Sequence, residues 1–225
     1  LKTVDNIVYR ADGTRIEVVL ATASGEIRIA EGVTEIQASL FNSNMRVTGI
    51  VVPEGVISIG DRAFSYCMNL TSITLPSTLE TLGENVFDGC NNLNIVDKSG
   101  KFFKNVDGII YSADGTQIIS VPSVSGEVRI AEGVTEIPDG LFGFDDRITS
   151  VVIPEGVTKI GYGAFRGCGN LTSVILPSTL ETLEDAVFEG CSKLTDIEDK
   201  SGNIKIMEGI VYSADGTRII AVLTS

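Results

Sequence analysis

One spacing constrains this chain more than any other feature: a step of 23 residues that recurs along most of its length. Phe41 is followed at that step by Phe64 and Phe87, Pro53 by Pro76, and Cys67 by Cys90. In the second half Phe142, Phe165 and Phe188 keep the step, with Cys168 and Cys191 and with Ile148, Leu171 and Leu194 alongside. A longer period lies over the first, because Phe41 to Phe142, Cys67 to Cys168 and Cys90 to Cys191 are all separated by 101. The segment Ile7–Thr14 returns at Ile109–Thr116 and at Ile210–Thr217, the first of these steps being 102 because one extra residue precedes Ser24. A chain self-similar at such a period builds by stacking, since a single unit cannot bury its apolar side alone. The sequence therefore reads as one repeat domain over 1–225. It divides into a hairpin segment (1–24), a block of repeats (25–103), a second hairpin segment (104–125), a second block (126–204) and a third hairpin segment (205–225).

The unit runs Leu70-x-x-Ile73-x-Leu75-Pro76-x-x-Leu79-x-x-Leu82-x-x-x-Val86-Phe87-x-x-Cys90-x-x-Leu93. Ile73 and Leu75 alternate with Ser72 and Thr74, the spacing of a strand with one buried face. Pro76 has no ladder donor and ends the strand. Leu79 and Leu82 bring a second short stretch inward, and Val86, Phe87 and Cys90 carry the three-to-four spacing of a single helical turn. Stacking places each Leu, Phe and Cys over its counterpart. The Tyr-x-Ala-Asp-Gly-Thr segments predict hairpins, because Asp-Gly tolerates positive φ; here the turn joins Ile109-Ile110-Tyr111 to Gln117-Ile118-Ile119. Asp12, Asp114 and Asp215 each stand alone, without the alternating acids and distal Glu of a calcium loop, and are read as turn residues.

The runs Val52–Phe64 and Cys67–Pro76 resemble the BspA-type (Treponema pallidum-type) leucine-rich repeat, and the resemblance covers nearly the whole chain. It implies a leucine-rich-repeat solenoid, a curved right-handed superhelix. Such a body is β-rich, with short parallel strands on the concave face and single helical turns, here with inserted β-hairpins. Members of the family are typically bacterial surface or secreted proteins, and those studied act in adhesion to host matrix proteins or to other cells. The runs after Leu93 and Leu194 lack the Leu-Pro strand end, while Asn42-Ser43-Asn44 and Gly143-Phe144-Asp145 replace the Cys turn. These lapses adjoin the hairpins and bear on local geometry, not on fold.

Function classes narrow by what the residues supply. Lys and Arg total 17 against 30 Asp and Glu, a formal charge of −13, which argues against a nucleic-acid partner. The count of His is 0, and no nucleophile elbow, phosphate loop or metal-bearing helix pattern is present, so neither enzyme activity nor a cofactor is expected. No apolar run approaches the roughly 18 residues of a membrane span. The opening Leu-Lys-Thr, without Met or a signal-type segment, reads as a trimmed or mature fragment. Cys67, Cys90, Cys168 and Cys191 share one repeat position and should point singly into the core, which suits neither a disulfide nor a converging zinc site. Glu31 with Glu54, and Glu132 with Glu155, fall in register at the Glu-Gly-Val turn, where stacked acids repel mildly under solvent screening.

Strand parity identifies the contact candidates. Taking Ile73 and Leu75 as inward makes Thr74 outward, and the same parity selects Arg28, Val51, Thr74 and Asp97 in the first block and Arg129, Val152, Ile175 and Glu198 in the second. The order base, apolar, neutral or apolar, acid would thus occur twice, with an apolar strip at its centre. Strand propensity alone is the competing explanation for those β-branched residues. The resulting reading is a non-catalytic adhesion or protein-recognition module, binding an extracellular protein or host matrix component through its concave strand face, monomeric and extracellular or at the cell surface. A structural spacer and a glycan-binding module are the alternatives, the latter set back by an aromatic content of 6% and no Trp.

Overall fold

The computed structural model describes residues 1–122 and 124–222. Packing divides it into two compact units, one of Leu1–Asn105 with Ile110–Ala113 and Ile119–Pro122, the other of Val106–Ile109, Asp114–Ile118 and Ser123–Ser225. Each contains four turns of a leucine-rich-repeat β-solenoid. In the first unit the strands Gly25–Arg28, Val47–Val51, Ser72–Leu75 and Asn94–Asp97 form one parallel sheet in sequence order. In the second the strands are Gly126–Arg129, Ile148–Val152, Ser173–Leu176 and Asp196–Asp199. The stretches carrying Leu82 and Leu183 are two-residue strands, Thr81–Leu82 and Thr182–Leu183, each at the edge of a smaller parallel sheet.

The apolar side chains stack as the period requires. Ile50, Ile73, Leu70, Leu75 and Leu79 are buried in the first unit and Val151, Val174, Leu171, Leu176 and Leu180 in the second. Phe41, Phe64 and Phe87 form a ladder with ring centroids 5.2 and 5.7 Å apart, and Phe142, Phe165 and Phe188 one at 5.0 and 5.7 Å.

Two features differ from the sequence reading. The Val-Phe-x-x-Cys segments are not helical turns, and no helix occurs among the described residues. Their N–H groups serve two directions: Ala63, Ser65 and Cys67 bond three residues back, whereas Phe64 and Tyr66 bond Val86 and Asp88 in the next turn. A helix would consume every donor internally; a stacked turn must share them with its neighbour. The hairpins, moreover, have three strands. Lys2–Val4, Phe103–Val106 and Ile204–Met207 each pair antiparallel or lie beside the Ile-x-Tyr strand that follows. The joining pairs Asp5-Asn6, Asp107-Gly108 and Glu208-Gly209 have positive φ at both positions, the geometry of a two-residue type I′ turn. The Asp-Gly-Thr turns form as expected: the Oδ1 atoms of Asp12, Asp114 and Asp215 accept the N–H and Oγ1–H of Thr14, Thr116 and Thr217 at 2.8–3.0 Å. With the Ser213 hydroxyl as well, these bonds hold the Asp215 carboxyl at about 2.

Candidate interaction surface

Parity along each strand sends alternate side chains out of the four-stranded sheets, and pairing register decides which of them become neighbours. In the first unit Arg28 pairs with Val51, and Val51 with Thr74. In the second Arg129, Val152, Ile175 and Glu198 pair in succession and make one continuous row. Val51, Thr74, Val152 and Ile175 are half-buried by their neighbours in the row, while Arg28, Arg129 and Glu198 are exposed. Each arginine is tied to an acid two places earlier on its own strand, Arg28 to Glu26 at 2.9 Å and Arg129 to Glu127. Glu198 is 3.7 Å from Lys200. These exposed pairs orient the charges but add little stability.

Asp97 does not belong to the row. It pairs with Leu75, and the residue beside Thr74 is Val96, which is 49% exposed. The shift arises because Ile73 to Ile95 is 22 residues, whereas Val174 to Ile197 is 23. The counterpart of Asp97 is therefore Asp199, and the two do the same work. Asp97 accepts the N–H and Oγ–H of Ser99 and the N–H groups of Phe102 and Phe103. Asp199 accepts those of Ser201 and the N–H of Ile204. Burial alone would raise the Asp97 carboxyl, but the bonds from Ser99, Phe102 and Phe103 outweigh it and hold it below the usual range. The first row thus ends in an apolar residue and the second in an acid. Sequence reasoning missed Val96 although its signal was present: keeping Ile95 in phase with Ile73 moves the outward position back by one.

Elsewhere on this side, Thr71 donates its hydroxyl to the Thr48 carbonyl at 3.1 Å, and Thr172 and Thr195 donate to Thr149 and Thr172 at 2.8 and 3.2 Å. The Glu-Gly-Val acids are relieved by a hydroxyl: Glu54 accepts Ser77 and Glu155 accepts Ser178, which lowers both carboxyls.

The four cysteines are buried, free thiols. The Sγ–H groups of Cys67, Cys90, Cys168 and Cys191 donate to the carbonyls of Phe41, Phe64, Phe142 and Phe165 at 3.0–3.2 Å. Burial pushes the Cys67 thiol up and that of Cys90 to about 12. The Cys168 and Cys191 sulfurs touch, and that contact raises Cys168 while lowering Cys191, whose side chain is nonetheless buried. All four are expected to resist a thiol reagent for hours at mildly alkaline pH and to react together once the chain is denatured. Labelling of any one within minutes in native buffer contradicts this packing. Among the described residues no group of His, Cys, Asp and Glu is placed to hold a metal ion, and no helix is long and apolar enough to cross a membrane.

A model of the BspA type leucine rich repeat region matches residues 22–125 and 121–221, with six copies. No curated protein matches the chain. Among solved structures, the pneumococcal vaccine antigen PcpA is 20% identical with a TM-score of 0.52, the match covering 87% of this chain and 66% of that one. A leucine-rich cell surface protein of Faecalibacterium prausnitzii A2-165 is 21% identical with a TM-score of 0.49, covering 78% of this chain and 59% of that one. At these identities the likeness is one of fold, and the chain spans less than two thirds of either structure's length.

Proposed function

The chain belongs to the BspA-type leucine-rich repeat family, and from that premise we propose that it is a non-catalytic protein-recognition module, displayed on or secreted from a bacterial cell, that holds an extracellular protein or matrix component against the outward face of its parallel sheets. The observation that carries this reading is the row Val152–Ile175, together with Val51–Thr74–Val96 in the other unit. In each, β-branched side chains stand in register and partly in solvent, with an arginine at one end. An apolar centre supplies affinity when a partner desolvates it, and the arginine at one end of each row, with Glu198 at the other end of the second, sets orientation and excludes wrong partners. A long stack presents such a surface without moving parts, so little is lost in ordering it.

The test uses immobilised matrix proteins and cells recognised by the wild-type chain. Replacing Val51, Thr74, Val152 and Ile175 by Glu puts charge on the centre of both rows but leaves the inward residues alone. The variant should keep its unfolding midpoint within a few degrees while affinity falls roughly 100-fold or more. Unchanged binding by a folded variant removes the sheet face from consideration. Wild-type chain that captures nothing favours a structural spacer.

A further inference from the structure

The second unit carries an exposed aromatic ring on its turn side. Phe144 has φ 59° and is 75% exposed, so a bulky residue occupies backbone that favours glycine and then presents its ring to water. The two residues that follow it at the repeat step, Gly167 and Gly190, have φ 71° and 76°. The ring lies against the first of these, for a Cβ on Gly167 would meet Phe144 Cδ1 at 2.5 Å and Cε1 at 2.7 Å. Its backbone N–H bonds the Arg166 carbonyl at 2.7 Å. One part of the ring is therefore seated on the next turn, and most of it stands open to solvent.

The surroundings are polar, networked and charge-balanced. On one side Asp146 accepts the N–H of Gly169 at 2.8 Å, Asn170 donates to the Asp146 carbonyl at 2.8 Å, and Lys193 donates to Asn170 at 2.7 Å. On the other Arg166 pairs with Glu189 at 2.8 Å. Acids and bases cancel here, although the chain as a whole carries −13. Beyond Gly190 the floor opens into a cavity of about 710 Å³ whose lining includes Glu189, Gly190, Ser192, Tyr162 and Arg218. An exposed aromatic ring, a glycine floor across two turns, and flanks of hydrogen-bonded amide, carboxylate and guanidinium groups without net charge suit a ligand that has apolar faces and many hydroxyls but no charge of its own. The first unit has a ring at the same repeat position, Tyr66 with φ 58° against Gly89, and Asn69 donates to the Met45 carbonyl there, but Met45 and Met68 stand where Asp146 and Gly169 do, so the carboxylate of that flank is missing.

We propose that the turn side of the second unit binds a neutral oligosaccharide, one sugar ring stacked on Phe144 and the next lying over Gly167 and Gly190 toward the cavity. The site is separate from the sheet face and stands independently of it.

The experiment titrates the full chain with neutral hexasaccharides of glucose, mannose and N-acetylglucosamine, following backbone amide shifts and heat of binding. At least one should bind with shifts at Phe144, Gly167 and Gly190. Phe144→Gly should weaken it roughly tenfold or more while leaving Tm unchanged or higher, since glycine suits this backbone. Phe144→Tyr should retain binding. The sheet-face glutamate variant should bind the sugar as wild type does, which separates failure of this site from failure of that one. The proposal is overturned if none of the three sugars binds at millimolar concentration, if binding survives Phe144→Gly, or if Phe144→Gly lowers Tm and so makes the ring a packing element.

Discussion

Truncating Phe64 to alanine is expected to cost about 3–5 kcal/mol, a large part of the stability available to a chain of this kind. Phe64 is fully buried and is the middle rung of its ladder, stacked on Phe41 at 5.2 Å and on Phe87 at 5.7 Å. Its backbone is also fixed from both sides, because its N–H bonds Val86 and its carbonyl accepts the Cys90 thiol. A neighbour cannot slide in to fill the void without breaking those bonds, so the site collapses poorly and the cavity term stays large. Phe64→Leu, which keeps most of the volume, should cost about 1–2 kcal/mol. Equilibrium unfolding in urea measures both. A loss below about 1 kcal/mol for Phe64→Ala would show that the ladder is slack and the stack is held by its strands alone.

The ladder also shows how much of the fold was legible in the sequence, and why. A solenoid repeats one local problem, so a single periodicity specifies core positions, strand positions and neighbours together. Ile73, Leu75, Phe87 and Cys90 could all be placed from spacing alone. What escaped were features set by exchange of hydrogen bonds between turns. Val86 and Phe87 have helical spacing, yet Phe64 and Tyr66 give their N–H groups to the adjacent turn, which no one-dimensional pattern records. The third strand of each hairpin was overlooked for a different reason. Asp107-Gly108 is as strong a turn signal as Asp114-Gly115, but Phe103–Val106 has two exposed polar residues and so lacks the apolar alternation that marks a strand.

The register of the outward row was legible to within one residue. Parity identified Arg28, Val51 and Thr74 and the whole second row, because each inward neighbour is unmistakably apolar. It failed at Asp97, where a step of 23 was carried through a segment that had dropped a residue. The Phe144 platform could not have been read at all. It depends on a positive φ and on a ring in contact with a glycine one turn away, and in the sequence Gly143-Phe144-Asp145 looks only like a degraded repeat.

The second large effect concerns close approach between turns, where the nearest distance is a poor guide to the outcome. A Cβ on Gly60 would lie 2.6 Å from the Ala38 nitrogen and 2.9 Å from its Cα; one on Gly83 would lie 2.4 Å from the Asp61 nitrogen. Distance alone ranks Gly83→Ala as the worse change. The second block argues otherwise, because Gly161 keeps glycine at the position of Gly60, whereas Glu184 stands at the position of Gly83 and makes the same bond, its N–H to the Ile160 carbonyl at 3.0 Å against Gly83 to Ile59 at 2.8 Å. The third turn can therefore give way to a side chain. The second turn cannot, being held in register on one side by Glu35–Ile36 and on the other by Thr81–Leu82. Gly60→Ala is expected to cost about 3 kcal/mol, as overpacking against backbone does, and Gly83→Ala no more than about 1 kcal/mol. Gly161→Ala should follow Gly60→Ala, since a Cβ there meets the Asp139 nitrogen at 2.7 Å. Urea midpoints of the three variants settle the order, and a larger loss at Gly83 than at Gly60 would mean that the two blocks relax differently at equivalent positions.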